Sequence, residues 1–112
     1  MEFSHNLKAV YIIVNAGFAE DVVEMAREAG AKGATIIHAR GTGPVHHEIM
    51  GITVDAEKEM ILSLVDADTA DRILFIIKEK AGIKTPANGI CFISPVDHAI
   101  AVNKVVVEGE IE

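Results

Sequence analysis

The chain has 112 residues, half of them apolar with few aromatic side chains, and a formal net charge of −7. This length predicts one domain, 1–112, with a single aliphatic core, and the one cysteine excludes an internal disulfide, which is consistent with the cytoplasm. The acidic charge argues against nucleic acid and anionic membranes as partners, and the lack of a long apolar stretch or a signal peptide argues against membrane insertion.

The first half of the chain predicts a strand, a helix and a second strand. Residues 7–14 are almost continuously apolar, as in a central strand. Over 18–29 apolar residues recur at helical spacing, acidic residues occupy the first turn, and Gly30 follows the last turn. The β-branched residues at 35–37 then predict a strand over 33–40.

Between the halves lies a segment of about 41–57 that is predicted to be a long loop. Gly41, Gly43 and the following Pro44 interrupt the strand pattern, and the next strand pattern starts near Lys58. A loop of this length in a small domain is more often functional than a plain connection. We therefore expect the rest of the chain to be a scaffold for it.

The second half repeats the order strand, helix, strand. Asp66 or Asp68 is expected to cap its helix, and Gly82 to end it. The predicted elements are a strand over 59–65, a helix over 69–81, a strand over 90–93, and short edge strands within 99–102 and 104–107. The acidic end of the chain, about 108–112, is expected to fray.

Two β-α-β units joined in this way predict an α+β fold of the ferredoxin-like, split β-α-β kind. Its four-stranded antiparallel sheet carries both helices on one face. Strands this apolar would leave a large exposed patch on the other face. Self-association is the simplest cover, so the sequence predicts an oligomer.

Two loops are candidates for anion binding. Residues 40–43 and 84–89 each contain glycine and a cationic side chain, so that backbone N–H groups and a positive charge could hold a phosphate or a carboxylate. Taken alone, each loop is more typical of a plain connection. Convergence of the two loops with Arg40, Lys58 and Lys84 would make an anion pocket.

The histidines of the long loop offer an alternative function. His46, His47 and Glu48 could ligate a metal ion if three chains contribute them around a threefold axis. Adjacent residues of an extended segment point in opposite directions, so only one of the two histidines would join a given site. A solvated loop with incidental histidines is the commoner outcome.

The sequence does not indicate an enzyme. Cys91 lies between apolar strand residues, where a buried and inert thiol is the usual outcome, and Ser63 has no predicted base nearby. The carboxylates of Glu57 and Glu59 are more typical of a solvated strand end than of acid–base catalysis.

Three stretches of the sequence resemble the PII nitrogen-regulatory signal-transduction proteins. They are Gly-Ala-Thr-Ile at 33–36 before Arg-Gly-Thr-Gly at 40–43, Lys58 at the foot of the long loop, and Asn-Gly-Ile-Cys-Phe-Ile-Ser-Pro-Val at 88–96. The resemblance covers 7 to about 102 and implies a homotrimer of ferredoxin-like subunits whose sheets line its centre. It also implies an adenine nucleotide in the clefts between subunits, and a transporter or an enzyme that the long loop regulates.

Position by position, the resemblance implies which residues bind the effector. Thr35, Gly41 and Gly43 match the side of the cleft formed by the second strand, and Gly89 matches the facing loop. Lys58 matches a lysine that holds a carboxylate effector. With the cations of the two anion loops added, the predicted nucleotide- or effector-binding residues are Thr35, Arg40, Gly41, Gly43, Lys58, Lys84 and Gly89.

The chain departs from the family pattern in ways that lower the positive charge of the site. Ile90 stands where a lysine is usual, and Ala101 and Asn103 stand where two arginines are usual. In the family these three cations hold a triphosphate. Lys84 and Lys104 could compensate in part.

Two further departures concern magnesium and modification. Pro44-Val45 follows Gly43 where a glutamine that holds the nucleotide's magnesium is usual, and the shorter loop has no tyrosine, because Tyr11 lies in the first strand. These departures argue against ATP-Mg with 2-oxoglutarate as the effector, and against control by tyrosine modification. We therefore expect a non-enzymatic signalling protein that binds AMP, ADP or ATP, preferably the less charged forms, and requires no cofactor.

Overall fold

The computed structural model describes residues 6–42, 47–49, 52–54, 56–101 and 104–105, with the backbone alone described at 47–49, 52–54, 101 and 104–105. Its elements are, in chain order, β1 (Leu7–Asn15), α1 (Ala19–Glu28), β2 (Thr35–Gly41), β3 (His47–Ile49), β4 (Ile52–Val54), β5 (Ala56–Asp66), α2 (Ala67–Ala81), β6 (Ile90–Pro95), β7 (Ile100–Ala101) and β8 (Lys104–Val105). No helix in these described ranges is long and apolar enough to cross a bilayer.

Four strands form one antiparallel sheet in the order β2-β5-β1-β6. The central strand β1 pairs with β5 over its whole length, from Leu7 opposite Asp66 to Asn15 opposite Lys58. β2 and β6 are the two outer strands of this sheet, each paired along one side. This is the ferredoxin-like topology that the sequence predicts.

Both helices pack on the same face of the sheet. The core unites residues of α1 and α2 with every second residue of β1, beginning at Val10. Its largest fully buried side chains include Ile12, Ile61, Ile73 and Ile77. Each such side chain contributes about 1.5–3 kcal/mol through burial, so this layer accounts for most of the favourable packing energy.

The opposite face of the sheet is apolar and partly exposed. Tyr11 of β1 and Phe92 of β6 stack there with their ring centroids 4.8 Å apart. Phe92 nevertheless keeps 46% of its surface exposed, Ile90 keeps 55%, and Ile37 of β2 is exposed as well. We call this surface the open face. It is the apolar patch that the sequence predicts, and an isolated chain leaves it in contact with water.

The boundaries differ most from expectation around the long segment between the halves. Within it β3 and β4 pair antiparallel, with Ile49 opposite Ile52, and the sequence signal for them is the β-branched run at 52–54. β5 begins at Ala56, three residues earlier than expected. The reason is that β2 supplies backbone partners for Glu57 and Lys58, and such pairing outweighs their low strand propensity.

The end of β6 also differs from the expected strand over 90–93. β6 continues through Pro95, which is tolerated because β6 is an outer strand and needs no second row of hydrogen bonds. The two short strands β7 and β8 lie within the expected edge strands. They pair with each other and form a separate two-stranded sheet.

Candidate functional site

One end of the sheet carries both sides of the predicted site, the end of the second strand and the loop before the last strand of the sheet. β1 ends there at Asn15, which lies opposite Lys58 near the start of β5. β2 ends there at Gly41, and β6 begins there directly after Gly89. We call this region the Asn15 end, and the connection between α2 and β6 (82–89) the 82–89 loop.

The side chain of Asn15 bonds to both flanks. Its Oδ1 accepts a hydrogen bond from Nζ of Lys58 at 2.6 Å, and its Nδ2 donates to the carbonyl oxygen of Pro86 at 2.9 Å. An ammonium group only donates and a carbonyl only accepts, so these partners fix the orientation of the amide. The backbone N–H of Asn15 donates to the carbonyl of Ala87 at 2.9 Å. No motif of the sequence indicates this residue as part of a site, although its place at the end of the first strand pattern is typical of a turn residue.

The turn that follows β1 is held by residues of β5. The carbonyl of Glu57 accepts from the N–H of Ala16 at 3.1 Å, and Oε1 of Glu59 accepts from Gly17 at 2.6 Å and from Ala19 at 3.4 Å. Glu59 therefore accepts from the N–H of Ala19, the first residue of α1, and from that of Gly17 just before the helix. The prediction that Glu59 solvates a strand end is wrong, because its side chain is only 14% exposed.

Gly41 is covered by the side chain of Lys58. A Cβ at Gly41 would lie 3.2 Å from both Cγ and Cε of the lysine. The missing side chain thus leaves room for the lysine stem, which lies over Gly41 while its ammonium reaches Asn15. The structure thus places two of the predicted site residues, Gly41 and Lys58, in contact.

Gly89 is buried where the 82–89 loop returns past the end of α2. Its N–H donates to the carbonyl oxygen of Ala81 at 2.7 Å, and a Cβ at this position would overlap that oxygen. The preceding Asn88 has a φ of 49°, in the left-handed region that asparagine tolerates better than most residues. The shape of the loop beside Lys58 therefore depends on glycine at 89.

The other predicted site residues lie at different places on the sheet. Thr35 starts β2 and is six residues from Gly41, roughly 20 Å along the strand. Arg40 alternates onto the helix-bearing face, opposite Glu57 in the pairing register. Lys84 lies beside α2 at the other edge of the sheet. One chain alone does not gather these residues into a single pocket.

A groove of about 730 Å³ runs between α2 and β6 into the 82–89 loop. Its apolar lining and flanking lysines come from three separate stretches of the chain, so no local sequence pattern indicates this groove. The lining residues include Leu74, Ile77, Lys78, Ile83, Lys84 and Cys91. Burial raises the pKa of the Cys91 thiol to about 11 by removing water from the thiolate. This agrees with the expectation of an inert cysteine.

Ser63 has a structural role. It is buried, at 1% exposure, and its hydroxyl donates to the carbonyl of Gly33 at 2.8 Å. On the next strand His38 approaches Glu59, with Nδ1 3.9 Å from Oε2. Neither geometry presents an activated nucleophile.

Part of the predicted sites lies outside the described residues. This applies to Gly43 and His46, while His47 and Glu48 are described only as backbone positions of β3. Among the side chains that the structure does describe, no group of three or more His, Cys, Asp or Glu residues could hold a metal ion. Metal binding by the loop histidines stays a prediction.

The sheet order, the two helices on one face and the glycine-containing connections at the Asn15 end define a ferredoxin-like domain. The family model of the nitrogen regulatory protein P-II matches residues 7–105. The chain therefore belongs to the P-II family, whose members are signalling regulators. A nitrogen fixation nifHD region glnB-like protein 1 of Methanococcus maripaludis is 29% identical over 102 residues, which cover 86% of this chain and 93% of that protein.

Solved structures support the same assignment. A PII-like signalling protein of Thermus thermophilus is 28% identical, with a TM-score of 0.63 over 80% of this chain and 86% of that one. GlnK of B. subtilis in complex with ATP has a TM-score of 0.71 at 16% identity, over 92% and 94%. CPII of Thiomonas intermedia, bound to ADP and bicarbonate, has a TM-score of 0.61 at 24% identity, over 80% and 85%. At such identities the last two show a shared fold.

Proposed function

We propose that this protein is a trimeric, non-enzymatic signalling protein of the cytoplasm that binds an adenine nucleotide between its subunits. In this proposal the nucleotide changes how the segment around 42–57 engages a partner, either a transporter or an enzyme. The observation that carries the proposal is the convergence of Gly41, Lys58 and the 82–89 loop at one end of the sheet, in a chain of the P-II family.

The open face supports self-association. An isolated chain would expose Ile37, Ile90 and Phe92 together on one side of the sheet. Burying such side chains between copies is favourable by about 25 cal/mol for each Å² removed from water. A trimer with the three sheets at its centre would cover all three open faces at once.

The sheet order supports a site shared between subunits. Arg40 belongs to β2 and Lys84 precedes β6, and these strands form opposite edges of the sheet with two strands between them. At a spacing of about 4.8 Å per strand, the two edges are roughly 14 Å apart. Cations from both edges can hold one small anion only if the β2 edge of one copy lies beside the β6 edge of another.

The proposed site comprises residues from both edges and from the Asn15 end: Thr35, Arg40, Gly41, Gly43, Lys58, Lys84 and Gly89. Its cations are fewer than a triphosphate usually requires, so ADP or AMP is the favoured ligand, with ATP next. The PII-like proteins solved with ADP, AMP or ATP make these nucleotides the first probes. No cofactor is required in this proposal, and 2-oxoglutarate with ATP-Mg is disfavoured.

Titration calorimetry on the full chain tests nucleotide binding with AMP, ADP and ATP, each with and without Mg²⁺ and 2-oxoglutarate. Loss of one charge-assisted contact, about 1.5–3 kcal/mol, should weaken ADP binding by roughly 10- to 150-fold in Arg40→Ala and in Lys84→Ala. Lys8→Ala, at the opposite end of β1, should bind ADP as the original chain does. Absence of binding by all three nucleotides would contradict the proposal.

Subunit mixing tests the shared site directly. Arg40→Ala and Lys84→Ala chains, each weak in ADP binding, are mixed under conditions that exchange subunits. Some clefts then receive Arg40 from one copy and Lys84 from another, so part of the tight binding should return. A site within one chain predicts no recovery, and light scattering that shows a monomer would exclude the arrangement altogether.

A further inference from the structure

Asn15 lies between two segments that meet at the Asn15 end, the start of β5 and the 82–89 loop, and it bonds to both. Its backbone is fixed to the 82–89 loop by the bond from its N–H to the carbonyl of Ala87. Its side chain holds Lys58 through Oδ1 and Pro86 through Nδ2. Oδ1 and Nδ2 belong to one planar amide group. A rotation of this group that redirects one of its hydrogen bonds therefore also redirects the other.

The Lys58 side of this arrangement is tied into the protein on both sides of the lysine. The neighbouring Glu57 and Glu59 hold the turn after β1 through the amides of Ala16, Gly17 and Ala19. A displacement of Lys58 therefore also moves groups that hold the turn next to Asn15. The contacts form one continuous network from β5 through the turn to the 82–89 loop.

We propose that Asn15 is a positioning residue that couples the start of β5 to the 82–89 loop through its side-chain amide. The use of this coupling in signalling rests on the proposed function, since both connected segments belong to the proposed nucleotide site. The coupling itself is a property of the protein without ligand. A role limited to shaping the turn would instead leave the two segments independent of each other.

A double-mutant cycle without ligand tests the coupling. The probes are the amide hydrogens of Thr85 and Asn88, which bond within the loop to the carbonyls of Gly82 and Thr85 at 3.0 Å. Lys58→Met should speed their exchange by about threefold to tenfold, the effect of one lost hydrogen bond, although the lysine bonds to Asn15 and not to the probes. Asn15→Ala should have an effect of the same size.

The combined variant decides between the two roles. If Asn15 carries the coupling, Lys58→Met has no additional effect on the loop amides once Asn15→Ala is present. Unchanged loop exchange in Lys58→Met, or full additivity of the two substitutions, would overturn the proposal. Lys8→Met, the same chemical change at the far end of β1, should leave exchange at Thr85 and Asn88 unchanged.

Asn15→Asp provides a second variant that keeps one of the two side-chain bonds. The carboxylate still accepts from Lys58 but cannot donate to Pro86. Loop exchange should therefore rise as in Asn15→Ala, and a further Lys58→Met should again have no effect on the loop. A loop that keeps its original exchange rates in Asn15→Asp would also overturn the proposal.

Addition of ADP separates this proposal from the proposed function. If ADP binds, amide exchange at 56–60 and at 84–89 should slow in the original chain, and at saturating ADP the Lys58→Met substitution should change the slowing at 84–89 only while Asn15 is present. If ADP does not bind, the proposed function is contradicted while the ligand-free cycle still decides the coupling.

Discussion

The two β-α-β units of this chain have the same element order but differ in how the ends of their helices are held. The second unit (β5, α2, β6) holds both ends of its helix with its own residues. Oδ1 of Asp66 accepts from the N–H of Thr69 at 2.6 Å at the start of α2. At the end of α2, the hydroxyl of Thr85 donates to the carbonyl of Gly82 at 2.8 Å. Both bonds join residues three positions apart.

The first unit (β1, α1, β2) depends on side chains of the second. Glu59 holds the start of α1, and Nε of Arg72 donates to the carbonyl of Ala29 at its end, at 2.9 Å. Ser63 binds the carbonyl of Gly33 just before β2. The two units therefore share the order of their elements but not the kind of contact that stabilises their helix ends. The helix ends of the first unit should be sensitive to changes in the second, whereas the ends of α2 depend on residues of their own unit.

Gly89→Ala should destabilise the second unit. Its effect on the free energy of unfolding should be the largest among these variants. The added Cβ would overlap the carbonyl oxygen of Ala81, a backbone atom that cannot move without displacing the end of α2. We expect a loss of about 3 kcal/mol in the free energy of unfolding, measured by chemical denaturation at one fixed protein concentration.

Gly17→Ala is the matched control for that variant. Gly17 has a φ of +99°, which disfavours alanine, but among the described residues no atom beyond its chain neighbours lies within 4 Å of the added Cβ. Its cost should be limited to the backbone, about 1–2 kcal/mol. Equal losses in the two variants would show that the close approach of Gly89 to Ala81 is not what matters.

Arg72→Met tests the dependence of the first unit on the second. It removes the bond to the carbonyl of Ala29 and the bond from Nη2 to Oγ1 of Thr69, and should cost about 1–2 kcal/mol. Because the lost bond to Ala29 caps α1, amide exchange at Gly30 and Ala31 should rise more than exchange in the middle of α2.

Arg27→Met is the control for the arginine substitution. Arg27 pairs with Glu24 at 3.1 Å, but both side chains are more than half exposed, so its loss should cost at most about 0.5 kcal/mol. If Arg72→Met loosened α2 and left the end of α1 unchanged, the two units would not differ in the way that the contacts indicate.

The same contrast explains what the sequence could predict. The sheet, both helices and the cap at Asp66 follow from periodicity and from residues that are close in the chain. The supports of the first unit join residues 30 to 43 positions apart, so no local pattern indicates them. The register in which the strands pair determines which of these distant side chains come into contact.

The candidate site divides in the same way. The order of strands brings Gly41, Lys58 and Gly89 to one end of the sheet, and the resemblance to the PII proteins indicated these positions in advance. Asn15 was not indicated, because its role depends on lying opposite Lys58 and beside Pro86 at once. The strands around 47–54 were missed because glycine and proline at 41–44 suggested an irregular loop.

Apart from the control variants, Asp66→Ala should have the smallest effect on the free energy of unfolding, and the pH dependence of this effect identifies its cause. Hydrogen bonds from the backbone and side chain of Thr69, with a smaller contribution from Arg72, lower the pKa of Asp66 below its ordinary value of about 3.9. The charged form is therefore the one that stabilises α2. Its contribution is fully present above the unfolded-state pKa and is lost as the pH falls through the lower folded-state pKa.

Near pH 7, Asp66→Ala should lower the free energy of unfolding by about 1 kcal/mol, and this difference should shrink as the pH falls below about 4. Asp66→Asn keeps a capping oxygen but does not titrate, so it should cost less than alanine near neutral pH. Denaturation curves of the three proteins between pH 2 and pH 7 measure both effects. A difference between the original chain and Asp66→Ala that stays constant to pH 2 would mean that the carboxylate does not cap α2. The local support that distinguishes the second unit would then be missing at its first turn.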